Sequence, residues 1–269
     1  MSSPIPILLY HRIDNAAFST STSPQLFRQH LQWLKEHGWR ALSGEEFGIA
    51  MKTGRSLPAR SFLITFDDAY ESIRSAALEI LRDFDFRAVS FLSTAFLRNP
   101  HRATDRTTTT ATKIENPEHY LTWDQARELQ ASGIIDCQSH GHRHLNFTGC
   151  SPEEIRQDLS TSIEFLSAEL RLPNRHFSHL AWPWGLSQPG WRGIASTLGF
   201  QFQYGVSRQA ARMATPLDRI PRTCFDAASF AQFQRQLWLQ TSHLSSLWEF
   251  AYPWGRRLRQ FSSRLHKTA

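Results

Sequence analysis

Apolar positions along the first hundred residues alternate between short continuous runs and segments with helical spacing. The runs PIPILLYH, SFLITFDD and AVSFLST are bounded by prolines or polar turns and predict three buried β-strands. Between them, SPQLFRQHLQWLKEHGW places Phe27, Leu31 and Leu34 on one helical face, and AYESIRSAALEILRDFDF is a second amphipathic segment. Strands that alternate with helices in this way predict a parallel sheet.

The same alternation returns after a polar interruption. The stretch from Arg98 to His119 has almost no large apolar residue and predicts a long surface loop. Helices then follow at LTWDQARELQASG, SPEEIRQDLSTSIEFLSAEL and GWRGIASTLGF, and strands at GIIDCQSH, FSHLAWPWG and QFQYGV. About seven strand–helix steps favour a distorted (β/α)7-type barrel, an α/β fold, over an open doubly wound sheet. We expect one domain over residues 1–240 and a basic tail or helix over 241–269.

Composition narrows the class of protein without naming its function. The 269 residues are 41% hydrophobic and 20% charged, which excludes a disordered or fibrous chain. The net charge of +6 includes a final segment, GRRLRQFSSRLHKTA, that has no acidic residue. This tail is compatible with contact to an anionic membrane or to nucleic acid, and equally with a solvated surface.

Compartment can be predicted only from what the sequence lacks. The three cysteines, Cys137, Cys150 and Cys224, form no CxxC pair and predict reduced thiols. The first residues have no basic leader with a signal-peptide core, and no window reaches the length of a spanning helix. These observations predict a cytoplasmic protein, with peripheral contact at the inner membrane face through the basic tail as a further expectation.

Two adjacent carboxylates, Asp67 and Asp68, follow the apolar strand SFLITF. Such neighbours repel each other unless a cation or strong donors compensate, and the carboxyl ends of barrel strands are where active sites are built. A single aspartate here would read equally well as a helix cap, which is the alternative. The pair therefore favours a functional site at the end of this strand.

The histidines of QSHGHRHLN complete a candidate metal site. His140 and His144 are four residues apart and can converge from a strand end and the following loop. Two imidazoles and the Asp68 carboxylate would give Zn²⁺ three protein ligands and leave a position for water. His142 would point away if its neighbours point inward, and a polar loop rich in histidine is the alternative interpretation.

These motifs resemble one known family. TFDDAY and SHGHRHLN are similar to the first two motifs of the polysaccharide deacetylases with the NodB-homology domain, carbohydrate esterase family 4. HLAWPWGLSQPGWRGIASTLGFQFQYGV resembles the third motif of the family and the segment after it, so the resemblance extends over most of the chain. It implies a NodB-type barrel and a metal-dependent hydrolase that removes N-acetyl groups from an amino sugar in a polysaccharide, oligosaccharide or lipid-linked saccharide.

The resemblance also implies roles for individual residues. Asp67 would be the general base, and Asp68, His140 and His144 would bind a divalent metal, with Zn²⁺ the expected ion. The Trp184 backbone N–H would help to hold the oxyanion. The side chains of Trp182 and Trp184 would wall the sugar site, with core packing as the equal alternative, and Tyr70 would join them in binding substrate.

Two further roles depend on a permuted order of motifs. The proton donor of the family is a histidine in an LxxH motif near the carboxyl end, whereas here LLYH at the start offers His11. This order resembles the branch that contains exopolysaccharide poly-N-acetylglucosamine deacetylases. The arginine that opens the third motif is replaced by Ala181, and RIPRTCF offers Arg222, or else Arg219, in its place.

Other functions remain open from the sequence. The same metal site would also serve an O-acetyl esterase or a deformylase that acts on a saccharide. A basic nucleic-acid-binding protein is the alternative from another class, although the resemblance implies a saccharide partner and no nucleic acid. A carbohydrate-binding relative without activity is disfavoured, because the expected ligands and base are all present.

Overall fold

The computed structural model describes residues 3–98, 117–242, 244, 245, 247, 248 and 252. The strands are β1 Ile7–Tyr10, β2 Arg12–Ile13, β3 Ser21–Thr22, β4 Arg40–Ala41, β5 Ser61–Phe66, β6 Ala88–Leu92, β7 Ile135–Ser139, β8 His179–Ala181, β9 Phe202–Tyr204 and β10 Thr223–Cys224. The α-helices are α1 Pro24–Glu36, α2 Gly44–Thr53, α3 Leu78–Phe84, α4 Trp123–Ala131, α5 Pro152–Leu170, α6 Pro189–Thr197 and α7 Phe230–Thr241.

The main sheet is parallel throughout and curls into a barrel. Its strands lie in the order β10-β1-β5-β6-β7-β8-β9, with β4 beside the start of β5. The chain before β10 runs along β9, where the Gln203 N–H donates to the Leu217 carbonyl (2.7 Å) and the Ser207 N–H to the Arg222 carbonyl (2.7 Å). The same stretch then pairs with β1 as β10, so it connects the two edges of the sheet. The predicted (β/α) barrel is confirmed.

Side chains alternate between the two faces of this curled sheet. Ile7, Leu63 and Val89 belong to a cluster inside the barrel, whereas their neighbours Leu8 and Ile64 pack outward against the helices. Successive side chains of a strand point to opposite faces, so every second residue continues the inner layer. The residues that follow this period past the strand ends therefore project into the carboxyl-end mouth of the barrel.

Helix α2 closes the opposite end of the barrel. The Ser43 hydroxyl caps it, and the Glu46 side chain accepts a hydrogen bond from the Ser43 backbone in return. Gly44 and Gly48 let the helix approach closely, because an added Cβ would lie 3.0 Å from Val89 or from the Phe202 ring, respectively. This packing leaves the carboxyl end as the mouth where a site can be built.

Some predictions need adjustment or lie beyond the described residues. The helix predicted directly after Asp68 starts only at Ile73, with a π-helical turn over Ile73–Ala77 before α3. Residues 99–116 of the predicted loop and residues 256–269 of the basic tail lie outside the described residues. Among the described residues, none of the helices combines the length and the apolar composition that a membrane-spanning helix requires. The division at residue 240 stays a prediction.

Candidate active site

The Asp67–Asp68 pair lies where β5 reaches the mouth of the barrel. Asp67 continues the inner layer begun by Leu63, and its N–H donates to the Tyr10 carbonyl at 3.1 Å. The chain then turns through two left-handed residues, Asp68 (φ 72°) and Ala69 (φ 71°). Asp68 therefore leaves the strand direction, and the two neighbouring carboxylates meet different partners.

His140, His144 and Asp68 converge on one point. Asp68 Oδ1 lies 3.3 Å from His140 Nε2 and 3.1 Å from His144 Nε2. The Nδ1–H of His140 donates to the Ala181 carbonyl at 2.7 Å, so its Nε2 carries the lone pair that faces Asp68. Asp68 Oδ1 is buried and has no hydrogen-bond partner among the described residues. This set of nitrogen and oxygen donors fits a divalent metal ion.

The loop that carries the histidines, here named the histidine loop (residues 140–144), is held by one buried carboxylate. Asp158 on α5 accepts the backbone N–H groups of His142 (2.9 Å) and Arg143 (3.2 Å), and also the Arg143 Nε–H. Gly141 is required here, because it has φ 75° and an added Cβ would lie 2.9 Å from Asp158 Oδ2. Asp158 therefore fixes the loop that presents two of the metal-binding candidates.

His142 points away from the metal-binding cluster. Its ring stacks on Phe165, with centroids 5.2 Å apart, and its Nδ1 lies 2.8 Å from the Thr94 hydroxyl. It is not part of the group formed by Asp68, His140 and His144. This placement agrees with the expectation that His142 points away when His140 and His144 point inward.

Asp67 forms a buried, bidentate ion pair with Arg222. Both guanidinium Nη atoms donate to the carboxylate, each at 2.7 Å, and Arg222 is fully buried. Burial alone would raise the pKa of Asp67, but the guanidinium outweighs it and holds the pKa below its usual value. Arg219 instead pairs with Asp218 at the surface, so of these two arginines it is Arg222 that contacts Asp67.

The second carboxylate is also kept ionised. Burial raises the pKa of Asp68, but the neighbouring imidazoles of His140 and His144 hold it well below the usual value. Asp67 Oδ2 lies 3.7 Å from His140 Nε2. The mouth of the barrel therefore holds one carboxylate that is free to bind a cation and another, beside it, that is fixed by an arginine.

His11 approaches the cluster from the end of β1. Its Nε2 lies 4.0 Å from Asp68 Oδ2, and its Nδ1 lies 2.5 Å from Asp226 Oδ2. Asp226 also accepts the His11 backbone N–H at 3.0 Å, which fixes the ring against the loop after β10. Burial lowers the pKa of His11, but the hydrogen bonds and charge of its partners, chiefly Asp226, raise it well above its usual value. The contact with Asp226 therefore favours the protonated form of the imidazole.

Aromatic side chains lie at the mouth of the barrel, but Trp182, which was expected among them, does not. Trp184 is 64% exposed and lies beside His144, with ring centroids 5.4 Å apart. Tyr70 is half-buried and stacks on Tyr120, and the charge of Asp68 contributes to the raised pKa of its hydroxyl after burial. Trp182, by contrast, is fully buried.

The expectation that Trp182 walls a sugar site is therefore wrong. Its ring packs edge-to-face against Phe147 (5.8 Å) and near Trp191 (6.3 Å) in the layer between the sheet and the helices. Trp182 and Trp184 are two residues apart, but the left-handed backbone at Trp184 (φ 60°) breaks the alternation that would have placed both on one face. The core-packing alternative describes Trp182.

The fold and the site define a parallel α/β-barrel protein whose carboxyl end carries a histidine–aspartate cluster that could hold a metal ion. The chain belongs to the polysaccharide deacetylase family, whose model matches residues 54–203. The match covers β5, the histidine loop and β8, and the members of this family are metal-dependent.

Comparisons with individual proteins agree with this assignment. The chain is 24% identical over 263 residues to the poly-β-1,6-N-acetyl-D-glucosamine N-deacetylase of Escherichia coli, covering 85% of this chain and 38% of that protein. The protein of the same name from Staphylococcus epidermidis is 26% identical over 210 residues, covering 75% and 67%. The chain therefore spans well under half the length of the first of these relatives.

Solved structures share the fold. The Streptococcus pyogenes deacetylase PplD in complex with acetate superposes with a TM-score of 0.72 and 22% identity, covering 88% of this chain and 99% of that one. IcaB from Ammonifex degensii gives a TM-score of 0.72 and 20% identity, covering 90% and 99%. At these identities the likeness establishes the barrel architecture alone.

Sequence reasoning missed Asp226, Asp158 and the exposed Phe18. Asp226 lies two residues after β10, a strand of two residues that is too short to show periodicity. Asp158 lies inside a helix, where nothing in its spacing distinguishes it from a solvent-facing carboxylate. Phe18 is 50% exposed, and the Arg12 guanidinium lies over both its ring and that of Tyr70. None of the three offered a signal in the local sequence pattern.

Proposed function

We propose that this protein is a metal-dependent carbohydrate N-deacetylase that hydrolyses the acetamido group of an amino sugar. One observation carries the proposal: a carboxylate, Asp67, and an imidazole, His11, both lie within 4.0 Å of the metal-binding cluster, and each is paired with a group of opposite charge that favours its ionised form. Amide hydrolysis needs a base for the attacking water and an acid for the departing amine. Asp67 as a carboxylate and His11 as an imidazolium would meet these two needs.

The residues of the chain divide the reaction between them. Asp68, His140 and His144 would hold the ion, which when bound supplies an acidified water and polarises the amide carbonyl. Asp67 accepts the proton of the water as it adds to the carbonyl carbon, and Arg222 keeps this carboxylate oriented. His11 then gives its Nε2 proton to the amide nitrogen as the C–N bond breaks, which releases acetate and the free amine.

Zn²⁺ is the ion that we propose for the site. Its ligands in proteins include imidazole nitrogen and carboxylate oxygen at about 2.0–2.2 Å, and catalytic zinc keeps three protein ligands with one open position. Asp68, His140 and His144 are such a set. His140 also has the partner on its second nitrogen, the Ala181 carbonyl, that orients a metal-bound imidazole.

We propose a polymer of N-acetylglucosamine as the substrate. Sugar rings stack on aromatic faces, and the exposed Trp184 presents such a face beside His144. The relatives named poly-β-1,6-N-acetyl-D-glucosamine N-deacetylases favour the β-1,6 linkage. A lipid-linked saccharide at the inner membrane face is the second substrate to test, because a basic tail would bring the protein to an anionic surface.

Product analysis tests the activity. The full chain, loaded with zinc, should release acetate and free amine in equal amounts from β-1,6-linked N-acetylglucosamine oligosaccharides. Asp68→Ala and EDTA should each abolish both products, whereas Asp83→Asn, at an exposed surface ion pair, should not. Acetate without amine would identify an O-acetyl esterase, and formate a deformylase. Activity that survives both Asp68→Ala and EDTA would refute the proposed chemistry.

Cytoplasmic location with peripheral membrane contact is a separate proposal. Deletion of residues 256–269 should reduce binding to vesicles that contain phosphatidylserine, and the loss should be reproduced for the full chain by high salt. Unchanged binding after the deletion would contradict the role of the tail. Binding of the full chain to an oligonucleotide in the same salt would contradict the expectation that nucleic acid is not a partner.

A further inference from the structure

A second cluster of metal-binding groups lies beside the first, on the other side of the His11 ring. His11 Nδ1, Cys224 Sγ and Asp226 Oδ2 all lie within 4.8 Å of one another. Cys224 Sγ donates to Asp226 Oδ2 at 3.1 Å, and the same oxygen lies 2.5 Å from His11 Nδ1. The proposed reaction uses His11, and through it Asp226, but it gives no role to the thiol.

The backbone makes this cluster a fixed feature. Cys224 pairs with Leu9 across the parallel β1–β10 ladder, so His11 and Asp226, each two residues further along, also lie side by side. The Phe225 N–H donates to the Leu9 carbonyl at 2.9 Å, and the His11 N–H to Asp226 Oδ1 at 3.0 Å. The three side chains are thus held together by two paired strand ends.

We propose that His11, Cys224 and Asp226 form a second, inhibitory site for a thiophilic divalent cation such as Zn²⁺ or Cd²⁺. The set of one thiolate, one imidazole and one carboxylate is typical of zinc ligands, and the thiolate favours soft ions. The two negative charges balance the charge of the ion. The cation replaces the thiol proton and the proton shared between His11 Nδ1 and Asp226, and both protons leave to solvent.

The ligands need only small movements to accept an ion. Tetrahedral zinc with bonds of about 2.0–2.3 Å separates its ligand atoms by roughly 3.3–3.6 Å. The contacts of Asp226 Oδ2 with His11 Nδ1 and Cys224 Sγ would lengthen by under about 1 Å. Cys224 is exposed and lines, with Asp226, a surface pocket of about 510 Å³, so the site is open to solvent ions.

Occupancy of this site would stop proton delivery, a consequence that rests on the proposed function. An ion on Nδ1 leaves the His11 ring with a single proton, on Nε2. Release of that proton would form an imidazolate, a far stronger base than the neutral imidazole that a protonated ring leaves behind. His11 would then no longer serve as the general acid, although the ligands of the first cluster would be unchanged.

The test counts metal and thiolate bonds without relying on activity. Wild-type protein loaded with one equivalent of Zn²⁺ is titrated with Cd²⁺, and bound metal is measured by elemental analysis after gel filtration. We expect a second equivalent to bind, with the ultraviolet charge-transfer band of a cadmium–thiolate bond. The first cluster contains no sulfur, so cadmium that exchanges into it cannot produce this band.

Two cysteine variants locate the bond. Cys224→Ser should lose the band and the second equivalent, and Cys150→Ser, at another partly exposed thiol, should retain both. In the wild-type protein, Cd²⁺ should also protect Cys224, but not Cys150, from alkylation by iodoacetamide, as read by peptide mass spectrometry. This measurement needs no substitution and therefore does not depend on the folding of a variant.

Defined results would overturn the second site. Binding of one metal equivalent in total, a band that survives Cys224→Ser, or alkylation of Cys224 that cadmium does not slow would each refute it. If the proposed deacetylase activity is present, Cd²⁺ beyond the first equivalent should inhibit wild-type protein at least tenfold more strongly than Cys224→Ser. Failure of the deacetylase assay alone would leave the metal count and the band unaffected.

Discussion

Replacement of Asp226 by asparagine should move the alkaline limb of the pH–activity profile toward lower pH. The asparagine keeps the size of the side chain and can still accept the His11 N–H, but it removes the negative charge beside the ring. His11 must be protonated to donate to the amine, so activity is present below its pKa and is lost as the pH rises through it. A lower pKa therefore brings that loss to a lower pH.

The size of the shift follows from the contact. His11 Nδ1 and Asp226 Oδ2 are 2.5 Å apart, and the Asp226 side chain is only 4% exposed, so solvent screens the pair weakly. A unit charge pair at 4 Å is worth about 4 kcal/mol at an effective dielectric constant of 20. Opposite charges at such distances shift pKa values by about 1–3 units. We therefore expect the alkaline limb to move by about 1–3 pH units. The more distant charge of Asp68 remains in the variant and continues to favour the protonated ring.

The assay is kcat/KM for an N-acetylglucosamine oligosaccharide between pH 5 and 10, with bound zinc measured in each sample. Asp226→Asn should bind the first zinc equivalent as the wild type does, because Asp226 is outside the first cluster. Asp83→Asn, which removes an exposed carboxylate paired with Arg28, serves as the matched control and should leave the profile in place. If the alkaline limb of Asp226→Asn lies within about 0.3 pH units of the wild-type limb, the role of His11 as proton donor is refuted.

Three further predictions concern the supports of the site. Arg222→Met should lower the free energy of unfolding, measured in urea, by about 3–5 kcal/mol, because it leaves the buried Asp67 carboxylate unpaired. Adding Asp67→Asn to this variant should restore much of the lost stability. No recovery in the double variant would argue against the ion pair. In the same assay, Trp182→Ala should lower the free energy of unfolding by about 3–5 kcal/mol, because it removes a buried ring. Trp184→Ala, at an exposed ring, should change this free energy by under about 0.5 kcal/mol but raise KM. Asp158→Asn should weaken zinc binding by about 10- to 100-fold in a chelator competition, since the histidine loop loses its anchor; unchanged affinity would contradict this.

The fold was predictable wherever an element was long enough to show its period. The apolar runs that became β1, β5 and β6 carried a clear signal, as did the capped helices α4 and α5. The two-residue strands β2, β3, β4 and β10 carried none, because alternation needs about four residues to be visible. Their positions are decided by pairing with strands that are distant in the sequence.

Predictions for individual site residues also depended on whether the alternation of the preceding strand was visible in the sequence. Asp67 and His140 follow strands whose inner residues were apparent, so their convergence could be expected. Asp226 follows β10 and acts only through the His11 contact, which spans 215 positions of the chain. Such pairs are set by strand order in the closed barrel, and no local pattern encodes that order.

The structure explains why position 181 can be alanine while Arg222 supplies the arginine that contacts Asp67. Ala181 belongs to the buried cluster inside the barrel with Phe91 and Tyr204, and the Arg222 guanidinium lies over these two rings at 5.2 and 6.0 Å. An arginine at 181 would have to place its head group in the same buried space, so the small side chain leaves room for Arg222.

The backbone of Ala181 also contributes to the site, because its carbonyl accepts a hydrogen bond from the His140 Nδ1–H. Because parallel strands deliver their ends to one mouth, the guanidinium can come from a later strand as long as it reaches Asp67 in the same bidentate geometry. The same reasoning holds for His11, which enters the mouth from β1, the first strand. The chemistry therefore constrains where the groups meet and leaves the order of the motifs along the chain free.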